Sequence, residues 1–337
     1  MKKYKNGLVL GKFFPVTLGH KYLIDTAIEN CEHVNVIISH NPTQEIPGMI
    51  RYEAIKETYK FNNKVSVYQF DDTDLPQHDY ECESLDEFYS YWIPEIFSLV
   101  GDLDVVFTSE DYGEGFAKYL SVDHFLVDKE RVTIPISGTL VRENPFKHWD
   151  FIADQMKHYF VKRIAIIGPE SVGKSTITKK LAAAFNTNFV DEYGRIVYEA
   201  NGNKATKDDF IPISEGRQSL EDWLIKKSNK VIFCDTEDIT TLLFLPMYCK
   251  NEDYQEIEEK LKKSIELKNP YDLYILLKPD CEAIQDGTRN FLEERVNHYE
   301  TIKRELRNRN LSFVEVGGDW DQRFSECVKI VKNNFNI

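Results

Sequence analysis

Short apolar runs recur along the whole chain, each bounded by turn-forming or polar residues. In the first half they read GLVLG (7–11), VNVIIS (34–39), KVSVYQF (64–70), LDVVFTS (103–109) and HFLVD (124–128). In the second half they read KRIAIIG (162–168), TNFVDE (187–192), KVIFCDTE (230–237), YDLYILL (271–277) and SFVEVGG (312–318). Runs of this length, rich in β-branched residues, predict strands. Between them the apolar spacing becomes helical: Leu23, Ile24, Ala27 and Ile28 share one face between His20 and Glu29. Strands alternating with helices predict two α/β units, each with a parallel sheet.

The boundary falls near NPFKHWDFIADQMKHYFVKR (144–163), where Asn144-Pro145 stops the preceding element. This gives domains 1–158 and 159–337. The aromatic, amphipathic piece after Pro145 is expected to pack between the domains. The mixed-charge run EDYQEIEEKLKKSIELK (252–268) reads as the solvated face of a helix.

A length of 337 residues leaves room for two ordinary cores, and 42% apolar with 29% charged residues is a soluble composition. No run of about eighteen apolar residues is present, so no membrane span is expected. The first strand begins almost at once, without the apolar stretch of a signal peptide. Six cysteines at 31, 82, 234, 249, 281 and 327 form no C-x-x-C pair. They read as free thiols of a cytoplasmic protein, with neither a zinc site nor a disulfide framework. A net charge of −14 disfavours non-specific binding to nucleic acid or an acidic membrane, while permitting a local basic pocket. Homo-oligomerisation is left open.

The sharpest local signal is IAIIGPESVGKSTITKKLA (164–182). Gly168-x-x-x-x-Gly173-Lys174-Ser175 follows a strand and opens a helix, the setting a phosphate loop requires. Glycines let successive backbone N–H groups curl around phosphate oxygens, and the helix N-terminus adds partial positive charge. Lys174 is placed to bridge the β- and γ-phosphates of ATP, with Thr176 next to the loop and Ser175 a ligand for Mg²⁺. Asp235, ending an apolar run, can hold Mg²⁺ through water. Asp191 and Glu192 in DEYGR (191–195) can accept a proton from a substrate hydroxyl, and Tyr193 offers a ring for stacking. The loop DGTRN (286–290), with Arg295 beyond it, supplies Arg289 and Arg295 to stabilise charge on a transferring phosphoryl group. The shortness of the second half favours a small-molecule kinase over a GTP-hydrolysing or motor protein.

The first half carries a different phosphate motif. Gly11-Lys12-Phe13-x-Pro15-x-Thr17-x-Gly19-His20 resembles the nucleotidyltransferase pattern G-x-F-x-P-x-(H/T)-x-G-H. ISGTLVRENP (136–145) resembles the I-S-x-T-x-x-R block of the same superfamily. Adenylyl transfer needs donors and cations already in place where charge accumulates. His20, in the first turn of a helix, can donate to an α- or β-phosphate oxygen. Thr17 can cap that helix and also donate to phosphate, Ser137 and Thr139 do likewise at the second helix start, and Arg142 can hold the leaving pyrophosphate. Lys12 and Arg51 are further candidates for phosphate contact. Orientation and electrostatics suffice without a protein nucleophile.

Together GKFFPVTLGH, ISGTLVRENPF, GPESVGKST, DEYGR, FCDTEDITT and the D-G-x-R loop resemble the bifunctional NadR family, from Gly7 to about Val331. The resemblance implies a Rossmann-like nucleotidyltransferase domain followed by a phosphate-loop kinase domain. It implies two reactions: phosphorylation of ribosylnicotinamide to nicotinamide mononucleotide by ATP and Mg²⁺, and adenylyl transfer from ATP to that mononucleotide, giving NAD and pyrophosphate. It places Glu192, Tyr193 and Gln218 at nucleoside-binding positions. Some members of the family carry an N-terminal helix-turn-helix repressor domain; the first strand here starts by residue seven, so DNA binding is not expected. Thr17 stands where the family more often has histidine, and a hydroxyl donates a hydrogen bond but carries no charge as imidazolium can. Two other readings of these residues stay open. One is an adenylyltransferase–kinase fusion with other substrates, such as pantetheine phosphate. The other is a nucleotide-sensing regulator with a weakened transferase site.

Overall fold

The structure is a computed structural model that describes residues 3–77, 79–250, 252–268, 270–283 and 291–337. It divides into two compact units, Met1–Tyr159 and Phe160–Ile337. In the first, β1 (Tyr4–Gly11), α1 (Leu18–Asn30), β2 (Cys31–His40), α2 (Gly48–Tyr59) and β3 (Val65–Asp71) come first in the chain. They are followed by α3 (Leu85–Val100), β4 (Val105–Thr108), α4 (Tyr112–Leu120), β5 (Asp123–Leu126), α5 (Gly138–Glu143) and α6 (Asp154–Lys157).

The five strands are all parallel, in the order β3-β2-β1-β4-β5. Leu8, Val9, Val36, Ile37, Ile38, Val105, Val106 and Phe107 are fully buried. Adjacent residues on one strand face opposite sides of a sheet, so burial of both requires helices on both faces. That is why these runs are continuously apolar. The chain leaves β1 toward β2 and later returns to place β4 on the other side. The loops after β1 and β4 therefore diverge and open a crevice at their carboxyl ends.

Residues 144–159 fold onto this first unit. Ile152 forms a β-bridge with Thr17, Phe146, Trp149 and Met156 are buried, and the Thr58 hydroxyl donates to Gln155 at 3.0 Å. The amphipathic piece expected to lie between the domains is thus part of the first core.

The second unit begins with β6 (Lys162–Ile167), α7 (Lys174–Ala184), β7 (Phe189–Val190), α8 (Tyr193–Ala200), α9 (Phe210–Ile225) and β8 (Val231–Asp235). It ends with α10 (Asp238–Tyr248), α11 (Gln255–Glu266), β9 (Leu273–Leu277), α12 (Arg295–Asn308), β10 (Phe313–Val316) and α13 (Trp320–Phe335). Its sheet is also parallel, ordered β10-β9-β6-β8-β7. Ile164, Ile166, Phe233, Ile275 and Leu277 point to one side, against Ile177 and Leu181 of α7 and Cys327 and Val331 of α13. Ala165, Ile167, Tyr274 and Leu276 point to the other, against Ile239 and Ile302. Because β6 and β8 are neighbours with Ile166 level with Asp235, the loop after β6 opens beside that carboxylate. Among the described residues no helix is long and apolar enough to cross a membrane.

Candidate active sites

In the first unit the two motif blocks, more than a hundred residues apart, meet at the mouth of the β1–β4 crevice. Arg142 donates through Nη1 to the Phe14 carbonyl and through Nη2 to Thr139 Oγ1 at 3.1 Å. Its guanidinium lies 4.4 Å from the centre of the Phe14 ring, a cation–π contact. A Cβ on Gly138 would stand 2.4 Å from the Phe14 carbonyl oxygen, so only glycine allows the blocks to approach this closely. Ser137 caps α5, accepting from the Leu140 N–H at 3.2 Å. Gly19 lies where an added side chain would touch Thr17, Ile134 and Ile136.

Thr17 is the N-cap of α1, and His20 completes a capping box. The Thr17 hydroxyl accepts from the His20 N–H at 3.4 Å, and the Thr17 N–H donates to His20 Nδ1 at 3.1 Å. Histidine occupies the position where a box ordinarily has glutamate or glutamine. With Nδ1 accepting, the proton of the neutral ring sits on Nε2. Burial, joined by the nearby Arg131 charge, lowers the His20 pKa to about 4, with the Pro15 carbonyl acting the other way. His20 is therefore a neutral donor, and positive charge at this site comes from arginines. Phe13 is buried and meets the His20 ring edge-on at 5.1 Å.

Thr17, 2% exposed, is committed to the cap and to the His20 ring rather than presented to a ligand. Arg51 is fully buried, and its guanidinium donates to the Lys12 and Ser39 carbonyls and to Gln44. It fastens the motif loop to β2. The Lys12 side chain itself is exposed, and Gly11 ends β1 half-buried. Arg131 is a cation that sequence reasoning missed. It sits in a turn in which the Asp128 carboxylate accepts from the N–H groups of Val132, Thr133 and Ile134.

In the second unit, Gly168 (φ 148°) and Gly173 (φ 86°) take backbone angles that side chains disfavour. A Cβ on Gly173 would also lie 2.1 Å from the Trp320 ring. Three cations hold the loop carbonyls. Lys174 Nζ donates to Pro169 O at 3.0 Å, Arg295 Nη2 to Ser171 O at 3.2 Å, and Arg323 Nη1 to Val172 O at 3.0 Å. Since N–H and C=O of a trans peptide point opposite ways, each carbonyl held by a cation turns the N–H of its own peptide away from that cation. The N-cap of α7 is Gly173, which has no side chain to cap it, so the first N–H groups of the helix are suited to an anion. Ser175 is half-buried and Thr176 exposed on that first turn.

Asp235, 1% exposed, faces this region with neither carboxylate oxygen hydrogen-bonded among the described residues. Burial, with Glu192 and more weakly Asp191, raises its pKa to about 7, against the pull of Lys174 and the Ser175 hydroxyl. An orphaned buried carboxylate beside a serine hydroxyl is a hard oxygen donor set suited to a divalent cation such as Mg²⁺. A cleft adjoins it, lined by Lys174, Glu192, Tyr193, Arg217, Thr236 and Phe244 among others. The two acidic candidates separate here. Asp191 pairs with Lys179 at 3.1 Å, whereas Glu192 lines the cleft.

Gln218 is not on the cleft wall. Its amide donates to Asp238 at 2.9 Å, Ser214 at 3.0 Å and Ser264 at 3.1 Å. Its neighbour Arg217 reaches the cleft instead, bonded to Asp238 at 2.5 Å and Glu221 at 2.8 Å. Arg295 is tied to the loop and to the Cys281 carbonyl at 3.2 Å, so it braces the cradle. Arg289 lies outside the described residues.

Known proteins resemble this chain in two ways. Residues 7–135 match the family model of the citrate lyase ligase C-terminal domain, and residues 163–323 that of an AAA domain. The trifunctional NAD biosynthesis/regulator protein NadR of Escherichia coli is 30% identical, the match covering 97% of this chain and 82% of that protein. Its Salmonella typhimurium counterpart is 29% identical over 98% of this chain and 84% of its own length. Crystal structures of NadR protein in complex with NR, and in complex with NAD and AMP-PNP, align with TM-scores of 0.82 and 0.81. Each covers 100% of this chain and 98% of the solved one, at 20% and 21% identity, a likeness of fold.

Proposed function

The chain belongs to the NadR family, and from that premise we propose that it is a bifunctional enzyme of NAD salvage. Residues 159–337 phosphorylate ribosylnicotinamide with ATP, and residues 1–158 join the resulting mononucleotide to the adenylyl group of a second ATP. What supports this reading is a helix start beside a buried polar group on each sheet: a neutral histidine in the first, and in the second a carboxylate with no partner among the described residues.

In the kinase half, the loop amides and Lys174 hold the nucleotide phosphates. Ser175 and Asp235 are the residues that would hold Mg²⁺, which neutralises phosphate charge when bound. Tyr193 lines the nucleoside cleft, and Glu192, rather than Asp191, accepts the proton of the attacking hydroxyl. In the transferase half, a phosphate oxygen of the mononucleotide attacks the α-phosphorus of ATP as the bond to pyrophosphate breaks. His20 donates from Nε2 to a phosphate oxygen, while Arg142 and Arg131 offset the charge that develops on the leaving pyrophosphate. The neutral imidazole keeps this donor unchanged across physiological pH.

Product analysis tests the assignment. Ribosylnicotinamide, ATP and Mg²⁺ are expected to yield mononucleotide and then NAD. NAD formed from added mononucleotide but none from ribosylnicotinamide would remove the kinase assignment. Adenylyl transfer to phosphopantetheine in place of the mononucleotide would remove the other.

A further inference from the structure

The first turns of α12 lie against the phosphate loop through Arg295, which donates to the Ser171 carbonyl. Three residues further, on the same helix face, stands His298. It is 5% exposed, and its Nε2 has no hydrogen-bond partner among the described residues. The Nε of Arg295, in a side chain 8% exposed, is likewise unpaired. The His298 ring packs edge-on against Phe244, centroids 4.7 Å apart, and Phe244 is a wall of the nucleoside cleft. Burial, together with the charge of nearby Lys174, lowers the His298 pKa to about 4, so the ring is neutral.

A buried polar atom without a partner destabilises a fold, and a phenylalanine of similar shape would avoid the cost. A buried water or a ligand supplies the partner that explains a histidine in such a place. The ligand follows from the surroundings: the nucleoside cleft wall touches the ring, and the ammonium that serves the β- and γ-phosphates is close by.

Resting on the kinase reading above, we propose that His298 contacts the phosphoryl group in transit, Nε2 donating a hydrogen bond to one of its oxygens. In that transfer the nucleoside oxygen bonds the γ-phosphorus as the bridge to ADP breaks. The hydroxyl proton passes to Glu192, and His298 neither gains nor loses a proton. The contact is made by an uncharged donor, complementing the cations already around the loop.

The test compares full-length wild type, Lys174→Ala, His298→Phe and His298→Gln, each with ribosylnicotinamide, ATP and Mg²⁺, and each by thermal unfolding. His298→Phe is expected to keep or raise the Tm while kinase kcat falls about 10- to 100-fold, the scale of one lost donor. Adenylyl transfer to added mononucleotide stays at the wild-type rate. His298→Gln, which restores a side-chain N–H near the Nε2 position, recovers most of the loss. Wild-type kcat in a folded His298→Phe overturns the proposal, as does a glutamine form no better than the phenylalanine one. If His298→Phe fails to fold, His298→Leu is read the same way; failure of both to fold makes the residue structural and overturns the contact. A wild-type protein that makes no mononucleotide sinks the kinase reading itself, and this proposal falls with it.

Discussion

On the proposed reading, the two units solve one problem, holding a polyphosphate where a helix begins, by opposite means. In the first, the start of α1 is spent on itself: Thr17 and His20 satisfy each other in a capping box. What remains for a ligand is a side-chain donor, the Nε2 proton that the box places on the far side of the ring. In the second, α7 starts at a glycine with no side-chain cap, and the backbone itself is the donor. Cations hold the loop carbonyls away instead. A site made of side chains is sensitive to residue identity. One made of backbone is sensitive to whatever holds the backbone in shape.

Lys174→Ala and His20→Ala test that separation most strongly. Each should lower its own reaction by about 10²–10³-fold, the usual cost of one preorganised donor to a developing charge. The other reaction should stay within about twofold. Measuring both activities on both variants checks this; loss of both activities from either change would break the comparison. A smaller effect separates cleft from scaffold in the second unit. Tyr193→Ala should raise the KM for ribosylnicotinamide about tenfold, matching about 1.4 kcal/mol of lost ring contact. Gln218→Ala should act mainly on the Tm, because its amide bonds Asp238, Ser214 and Ser264.

The pH dependence sharpens the contrast further. His20 in the folded chain titrates at about 4, below its ordinary value of 6.5. The unfolded chain therefore binds the proton first as pH falls. The stability contributed by the neutral ring is full above about pH 6.5 and is lost between there and about 4. Urea unfolding of wild type against His20→Asn should show the variant losing less stability over that interval. The smallest effect is expected at Thr17. Thr17→Ser keeps the cap and should change stability by less than about 0.5 kcal/mol, whereas Thr17→His removes it at about 0.5–2 kcal/mol. If Thr17→His instead raises the transferase rate, the threonine is a substitute donor and not the part that orients His20.

The phosphate loop was legible because its chemistry is local: a glycine spacing fixes backbone angles within eight residues of chain. The central strands were legible for a similar reason, since burial on both faces leaves runs such as those of β4, β8 and β9 almost wholly apolar. Arg51 and Gln218 were read as ligand contacts, and the structure spends them on carbonyls and neighbouring side chains. Sequence separation hides this, as the Arg51 partners at Lys12 and Ser39 are brought near only by strand pairing. Arg131 and Arg323 drew no notice for the same reason. A lone arginine in a loop or helix has no pattern of its own until the fold supplies its neighbour.

Residue order alone determined that this protein has two parallel α/β units, each with a helix start suited to phosphate, because periodicity and glycine spacing act over a few residues. Only the tertiary structure decided which charges are free for a ligand and which are consumed. It made His20 neutral, turned Glu192 rather than Asp191 toward the cleft, and left Asp235 and His298 Nε2 without partners among the described residues. Desolvation and pairing depend on which distant residues the strand order brings together, and no local spacing encodes that.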